Sequence, residues 1–267
     1  MKFAIAGFAV ATVTWMGTSS GHGMHVRTAA NARQGERWSW HGPVAQGKTI
    51  EIRGINGDVS AEAATGSEVE VTAMKRGRRS DPDEVRIEVV ESDAGVTVCA
   101  VYPGDNNRCA AGGGRMNTHN NDVEVTFSVR VPRGVGFDGN TVNGDVEIAG
   151  VTGDVDANTV NGSVRLETAG GEASGASVNG GVTAIVHSIG QHPMRFHSVN
   201  GTVNVTLPTG ISADVDARTV NGSIDTDFPI NVVGRMSPRH IAGTIGQGGR
   251  HLELETVNGS IRLHKLM

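Results

Sequence analysis

One short frame is written into this chain seven times. It appears as Ile55-Asn56-Gly57, then as Val-Asn-Gly beginning at Val142, Val160, Val178, Val199, Val220 and Val257. From Val142 onward, successive frames lie 18, 18, 21, 21 and 37 residues apart. Self-similarity at a period near 20 residues marks stacked repeats, in which each unit is too thin to bury its own apolar face. A finer alternation runs inside the frame: Val142-x-Gly144-x-Val146-x-Ile148, then Val151-x-Gly153-x-Val155-x-Ala157, then Val160-x-Gly162-x-Val164-x-Leu166. Alternation with period two puts one set of side chains on one face of a strand. The unit of nine is odd, so a corner must restore the face between units, and Ala149-Gly150, Asn158-Thr159 and Glu167-Thr168 are the expected corners.

The fold expected is therefore all-β. It is a single-chain parallel β-solenoid with two roughly nine-residue sides per coil, started and capped by an N-terminal β region. Asn-Gly is also the strongest short hairpin signal. Against hairpins stands the apolar parity, which reads straight through the dipeptide in Val160, Gly162, Val164 and Leu166. Coils stacked in parallel align like with like, so the asparagines should form one outward column joined by amide hydrogen bonds. The repeat residues are Asn56, Asn143, Asn161, Asn179, Asn200, Asn221 and Asn258, each followed by its glycine: Gly57, Gly144, Gly162, Gly180, Gly201, Gly222 and Gly259. The glycines are read as inward, at a narrow point of the core or a bend. A content of 38 Gly with only 4% aromatics fits a thin cross-section.

Three segments are expected. Residues 1–30 read as an export signal: Lys2, a nearly continuous apolar run from Phe3 to Met16, then small and polar residues, with cleavage between 17 and 32. Residues 36–133 form the N-terminal β region, with strands at Thr49–Arg53, Gly57–Ala61, Glu68–Met74, Val85–Val90, Val96–Val101 and Val123–Val131. Residues 134–267 form the repeat, interrupted by a capping insert at 229–247. No helix longer than a turn or two is expected, and no segment after the signal is apolar enough to span a membrane. Cys99 and Cys109 are the only cysteines; an even count in an exported chain predicts a disulfide. Residues 105–121, rich in Gly and Asn, are expected to be a disordered loop.

Chemistry would have to sit on outward residues. Asp154/Asp156, Asp214/Asp216 and Asp225/Asp227 are carboxylate pairs at strand spacing. Such pairs serve glycoside hydrolysis or Ca²⁺ binding, and they are also ordinary on a solvated strand face. The columns expected from the coil are Asp154, Glu172, Pro193, Asp214, His251 and, beside it, Asp156, Ser174, Arg195, Asp216, Glu253. The nonapeptide Ca²⁺ roll is not matched, because the residue after the repeat glycine is most often Ser, Thr or Gly. The basic run Lys75-Arg76-Gly77-Arg78-Arg79 is followed by Asp81, Asp83 and Glu84 and, with a net charge of −5, argues for a solvated loop rather than a nucleic-acid patch. Trp38 and Trp40 read as packing on the first coil, with a sugar-stacking platform as the alternative. Gly243 to Gly249 lacks the Lys-Ser/Thr of a phosphate loop. His187, His192 and His197 lack metal-ligand spacing. No catalytic residue, metal site or cofactor is therefore predicted.

The Thr-Val-Asn-Gly-Ser/Asp-Val/Ile repeats, the Cys99 to Cys109 loop after Gly95-Val-Thr-Val, and Phe127-Ser-Val-Arg-Val-Pro carry a resemblance. With Gly243-Thr-Ile-Gly-Gln-Gly-Gly and the terminal Thr256-Val-Asn-Gly-Ser-Ile-Arg-Leu, they resemble the putative-adhesin, domain-of-unknown-function family of bacterial β-strand-repeat envelope proteins over roughly residues 36–267. The resemblance implies an exported β-solenoid with an adhesive role and brings no catalytic residues. The function expected is a non-enzymatic, adhesin-like or structural protein of the periplasm, envelope or cell exterior, whose repetitive polar face meets envelope glycan or another surface protein. A carbohydrate-active β-helix enzyme built on the Asp pairs, and a Ca²⁺-stabilised roll, are the alternatives.

Overall fold

A computed structural model describes residues 33–35, 37–188, 193–232 and 237–266. The export-signal segment, His192 and the middle of the 229–247 insert lie outside these. The alternation seen in the sequence becomes strand directly: Glu124–Val131 buries Val125, Phe127, Val129 and Val131 and exposes the residues between them. Among the described residues the one helical element is the three-residue turn Pro82–Glu84.

The strands form two mixed sheets of eleven strands each. The parallel part of the first sheet runs Glu124–Val131, Val59–Ala63, Val146–Val151, Val164–Thr168, Val182–Val186, Val203–Leu207, Ile261–Lys265 and Ile224–Thr226. The second runs Gly95–Val101, Thr49–Arg53, Gly136–Asn140, Val155–Asn161, Ala173–Asn179, Met194–Asn200, Arg250–Asn258 and Ala213–Asn221. Each coil therefore places one strand in each sheet and turns at the Asn-Gly on the way from the second to the first. The core lies between the sheets, where Val146, Ile148, Val164 and Leu166 meet Val155, Ala157 and Ala173. Two inward glycines make room there: a Cβ on Gly139 would strike the Phe137 ring, and one on Gly175 would crowd Val164 and Leu166.

The all-β class agrees with the sequence, but three finer expectations are corrected. First, the chain is not one parallel coil from end to end. Antiparallel strands flank the parallel region: Val69–Gly77 with Trp38–Gly42 on one sheet, and Arg86–Ser92 and His240–Ile245 on the other. Nor do the coils stack in chain order. The insert folds back so that His240–Ile245 takes the outer edge of Ala213–Asn221. The last coil consequently enters on the inner side, with Arg250–Asn258 between Met194–Asn200 and Ala213–Asn221.

Second, the valines of the Val-Asn-Gly frame point outward, and their glycines sit at the corner rather than in the core. In Val155–Asn161 the buried residues are Val155, Ala157 and Thr159, while Val160 and Asn161 both face solvent. The face is thus restored at the Asn-Gly step, not at Asn158-Thr159. The inward place belongs to the preceding Thr or Ser. Third, residues 105–121 are ordered enough to pair: Arg108–Ala110 and Gly113–Arg115 form a small antiparallel ribbon. The Cys99–Cys109 disulfide anchors it, with the Cα atoms 5.7 Å apart. The Asn107 side chain donates to the carbonyl of Asn117 (2.7 Å) and accepts from its N–H (2.9 Å).

Candidate binding surface

The four residues of each Thr/Ser-Val-Asn-Gly corner have separate tasks. The Thr or Ser is buried and its hydroxyl donates to a glycine carbonyl of the neighbouring coil. Thr159 reaches Gly144 O (2.8 Å), Ser177 Gly162 O (2.7 Å), Ser198 Gly180 O (2.9 Å), Thr256 Gly201 O (2.8 Å) and Thr219 Gly259 O (2.8 Å). A buried carbonyl left without a donor would cost about 1–3 kcal/mol, so this hydroxyl is structural. The glycine permits the close approach. A Cβ on Gly144, Gly162, Gly180, Gly201, Gly259 or Gly222 would collide with the carbonyl of the corner glycine on the adjacent coil. The Asp or Ser that follows continues the pattern: Asp58 accepts from the N–H of Asp145 (2.8 Å), and Asp145 from that of Ser163 (2.7 Å).

The asparagines form an unbroken ladder. Asn143 donates to Asn56, Asn161 to Asn143, Asn179 to Asn161, Asn200 to Asn179, Asn258 to Asn200 and Asn221 to Asn258, all at 2.8–2.9 Å between Nδ2 and Oδ1. Each interior amide spends one N–H and one oxygen lone pair along the ladder and keeps one of each for solvent or a ligand. Beside it runs an apolar stripe. Val142, Val160, Val178 and Val199 are 37–39% exposed and Val220 is 55% exposed, on the one edge where a core-facing reading of the sequence had placed them inside. With the half-buried Val257, whose strand lies between those of Val199 and Val220, the column extends about 24 Å at the strand spacing.

The outer face of the second sheet is charged. Register brings Glu51, Asp138 and Asp156 side by side, followed by Ser174, Arg195, Glu253 and Asp216. The column expected from Asp156 to Glu253 is therefore assembled, with Glu253 and Asp216 exchanged. Glu51 is 7% exposed and fully engaged: Thr97 Oγ1 (2.7 Å) and Gly112 N–H (3.2 Å) donate to Oε2, and Arg53 holds Oε1. Burial pushes the Asp138 carboxyl up to about 6, with the charges of Asp156 and Glu51 adding to the effect. Asn140 donates to it at 2.7 Å. Glu51 and Asp138 share a cleft of about 260 Å³ whose wall includes Gly112 of the disulfide loop. Burial pulls the Asp216 carboxyl upward, but hydrogen bonds and charge from Arg218 and His240 outweigh it and hold it below its ordinary range.

At least one member of each aspartate pair of the sequence is hydrogen-bonded within the scaffold. Asp154 accepts from the N–H of Glu172 (2.7 Å), and Asp214 from that of Gly249 (3.1 Å). Asp227 meets His264 Nδ1 at 3.0 Å, and that bond lowers its carboxyl below the usual range. The basic run closes the end of Val69–Gly77, where Lys75 lies 3.6 Å from Asp83 and Arg79 pairs with Asp122. Backbone N–H groups of Ser80 and Arg79 hold that Asp122 carboxyl low. Trp38 and Trp40 both pack against the core, as expected from the sequence, and Trp40 also lines a cleft of about 490 Å³ with His41, Lys48, Glu91 and Asp93. The Gly243–Gly249 segment forms the end of a strand and the turn into the last coil. Sequence reasoning missed Glu51 and Asp138 because their partners are set by register between distant segments. The one available signal was their place on the polar face of alternating strands.

The sequence profile of the Toastrack DUF4097 family matches residues 80–264. The chain belongs to that family. This bears out the domain-of-unknown-function family expected from the Asn-Gly repeats and the C-terminal segment. No curated protein matches this Toastrack chain. Among solved structures, a putative cell adhesion protein from Clostridium sporogenes is 12% identical, covers 86% of this chain and 100% of its own, and has a TM-score of 0.44. A putative adhesin from Bacteroides fragilis is 10% identical, covers 86% and 97%, and has a TM-score of 0.32. One from Parabacteroides merdae is 9% identical, covers 87% and 97%, and has a TM-score of 0.22. Among the described residues no helix is long and apolar enough to cross a membrane.

Proposed function

We propose that this Toastrack protein is an exported, non-enzymatic, adhesin-like envelope protein that presents the repetitive edge of a β-solenoid as a binding surface for envelope glycan or another surface protein. The observation that carries this reading is the pairing of two parallel columns on one edge, seven amides beside five exposed valines, repeated at a fixed rise. A regular array of one polar and one apolar contact per rung suits a partner that is itself repetitive or extended. Large apolar side chains held outward in a contiguous row mark an interaction surface more often than scattered ones do. Co-sedimentation of the purified protein with isolated bacterial envelopes tests it. Saturable binding is expected, with loss when Val160, Val178 and Val199 are all replaced by Glu. Undiminished binding by that triple variant overturns the reading.

One observation favours the carbohydrate-active alternative. Asp138, whose carboxyl burial pushes up to about 6, lies in a cleft and is paired in register with Asp156, and a raised carboxyl of this kind is one that acid–base catalysis uses. Release of reducing ends from envelope polysaccharide, abolished in Asp138→Asn, would establish that alternative in place of the binding role.

A further inference from the structure

The coil brings one imidazole and two carboxylates together from segments far apart in the chain. His197 lies on Met194–Asn200 and faces Glu255 on Arg250–Asn258, with His197 Nδ1 3.5 Å from Glu255 Oε2. Glu253, two residues before Glu255, projects from the same face of that strand. One ligand atom from each of the three lies within 4.8 Å of the other two. We propose that His197, Glu253 and Glu255 bind a single divalent transition-metal ion, with zinc as the best match. This inference is independent of the binding role of the valine edge.

The surroundings suit an ion rather than a closed salt-bridge network. Arg195 Nε holds Glu253 Oε2 at 3.1 Å, which fixes the carboxylate and leaves its second oxygen for the metal. Outer partners of this kind orient ligating carboxylates. Arg218, the neighbour of Glu255 on the far side, is turned to Asp216, with Nε and Nη2 donating at 2.9 Å and 2.6 Å. Its hydrogen bonds are thereby spent on Asp216, although its charge still acts on Glu255 and Glu253. On the other side of His197 the paired residue is Ala176, too small to obstruct an approaching ion. Zinc holds its N and O ligands at about 2.0–2.2 Å, so the ligand atoms must draw in by roughly 1 Å. The three side chains stand on a partly solvated strand face, so the adjustment asked is of their own side-chain torsions. One nitrogen and two oxygens with positions left for water select zinc, cobalt or nickel over calcium, which takes oxygen ligands alone.

Titration of the purified protein with Co²⁺, followed by calorimetry and visible absorption, tests the site. We expect one ion per chain and its displacement by Zn²⁺. His197→Ala and Glu255→Gln should each weaken binding at least about tenfold. His187→Ala should leave it unchanged, because that imidazole meets a single carboxylate, Glu167, at 2.9 Å. If His197→Ala proves misfolded by circular dichroism, Glu255→Gln decides alone, since it preserves shape. Unaltered affinity in Glu255→Gln, or absence of Co²⁺ and Zn²⁺ binding by the wild type, overturns the proposal.

Discussion

Replacing Gly162 by alanine separates two reasons for a glycine at each corner. Gly162 does not have a positive φ, so an alanine meets no backbone penalty there. Its Cβ, however, would stand 2.6 Å from the carbonyl carbon of Gly144 and nearer still to the oxygen. Carbon atoms in contact rest at about 3.5 Å, so the corner must open by about 1 Å. That opening stretches three bonds across the same step. They run from Gly144 N to Asn161 O (3.0 Å), from Thr159 Oγ1 to Gly144 O (2.8 Å) and from Asn161 Nδ2 to Asn143 Oδ1 (2.8 Å). At about 1 kcal/mol net apiece, the expected loss is about 3 kcal/mol. Gly66 supplies the control: its φ is also not positive, and a Cβ there meets nothing within 4 Å. Alanine at Gly66 should stabilise by about 0.4–1 kcal/mol, by restricting the unfolded chain. Urea denaturation of the purified variants, followed by circular dichroism, measures both. A Gly162→Ala variant within about 0.5 kcal/mol of wild type would refute the close-approach explanation.

Thr159→Val strips a buried carbonyl of its donor and should cost about 1–3 kcal/mol, whereas Thr168→Val should be neutral or stabilising, because the buried Thr168 hydroxyl has no partner. The same denaturation experiment compares the two, and equal effects would dismiss the assigned role of the corner hydroxyl. Asp138→Asn should alter stability only above a pH threshold. The carboxyl rises on folding from 3.8 to about 6, so the native state holds the proton more tightly and its ionisation costs stability as pH climbs between those values. The variant should exceed wild type by about 2–3 kcal/mol above pH 6 and match it below about pH 4, read from denaturation midpoints across pH.

The strands and the stacking of like on like were readable because alternation fixes a face and a constant period fixes a register. The asparagine column followed from that register alone. The inward residue at the corner was not readable. Thr159 and Val160 are both β-branched neighbours, and which one turns inward depends on where the chain bends. The bend is decided by the contact of Gly162 with Gly144 on another coil, which no local pattern expresses. The order of the coils was hidden for a similar reason. The 37-residue gap before Val257 announced an insert, but only the pairing of His240–Ile245 with Ala213–Asn221 dictates that the last coil must enter on the inner side. That entry places Glu253 and Glu255 beside Arg195 and His197 rather than beyond Asp216. The Glu51, Asp138 and Asp156 row likewise arises from pairing among segments that the sequence keeps apart.

The corner chemistry also separates what stacking requires from what a partner would use. Threonine must face inward to supply the carbonyl donor, glycine must lie where the coils touch, and asparagine must point out to reach the next amide. The remaining position needs only an extended backbone, which any β-branched or polar strand former supplies. Yet it is valine at every corner from Val142 onward, and five of the six are at least 37% exposed. Val178→Glu should therefore change stability by less than about 0.5 kcal/mol, as surface substitutions ordinarily do. Asn179→Ala breaks two rungs, the bonds to Asn161 and from Asn200, and should cost about 2 kcal/mol. If the edge is a binding surface, envelope co-sedimentation should fall in Val178→Glu at unchanged stability. Should stability fall in Val178→Glu as far as in Asn179→Ala, the valine column would belong to the scaffold, and the case for a partner on that edge would go with it.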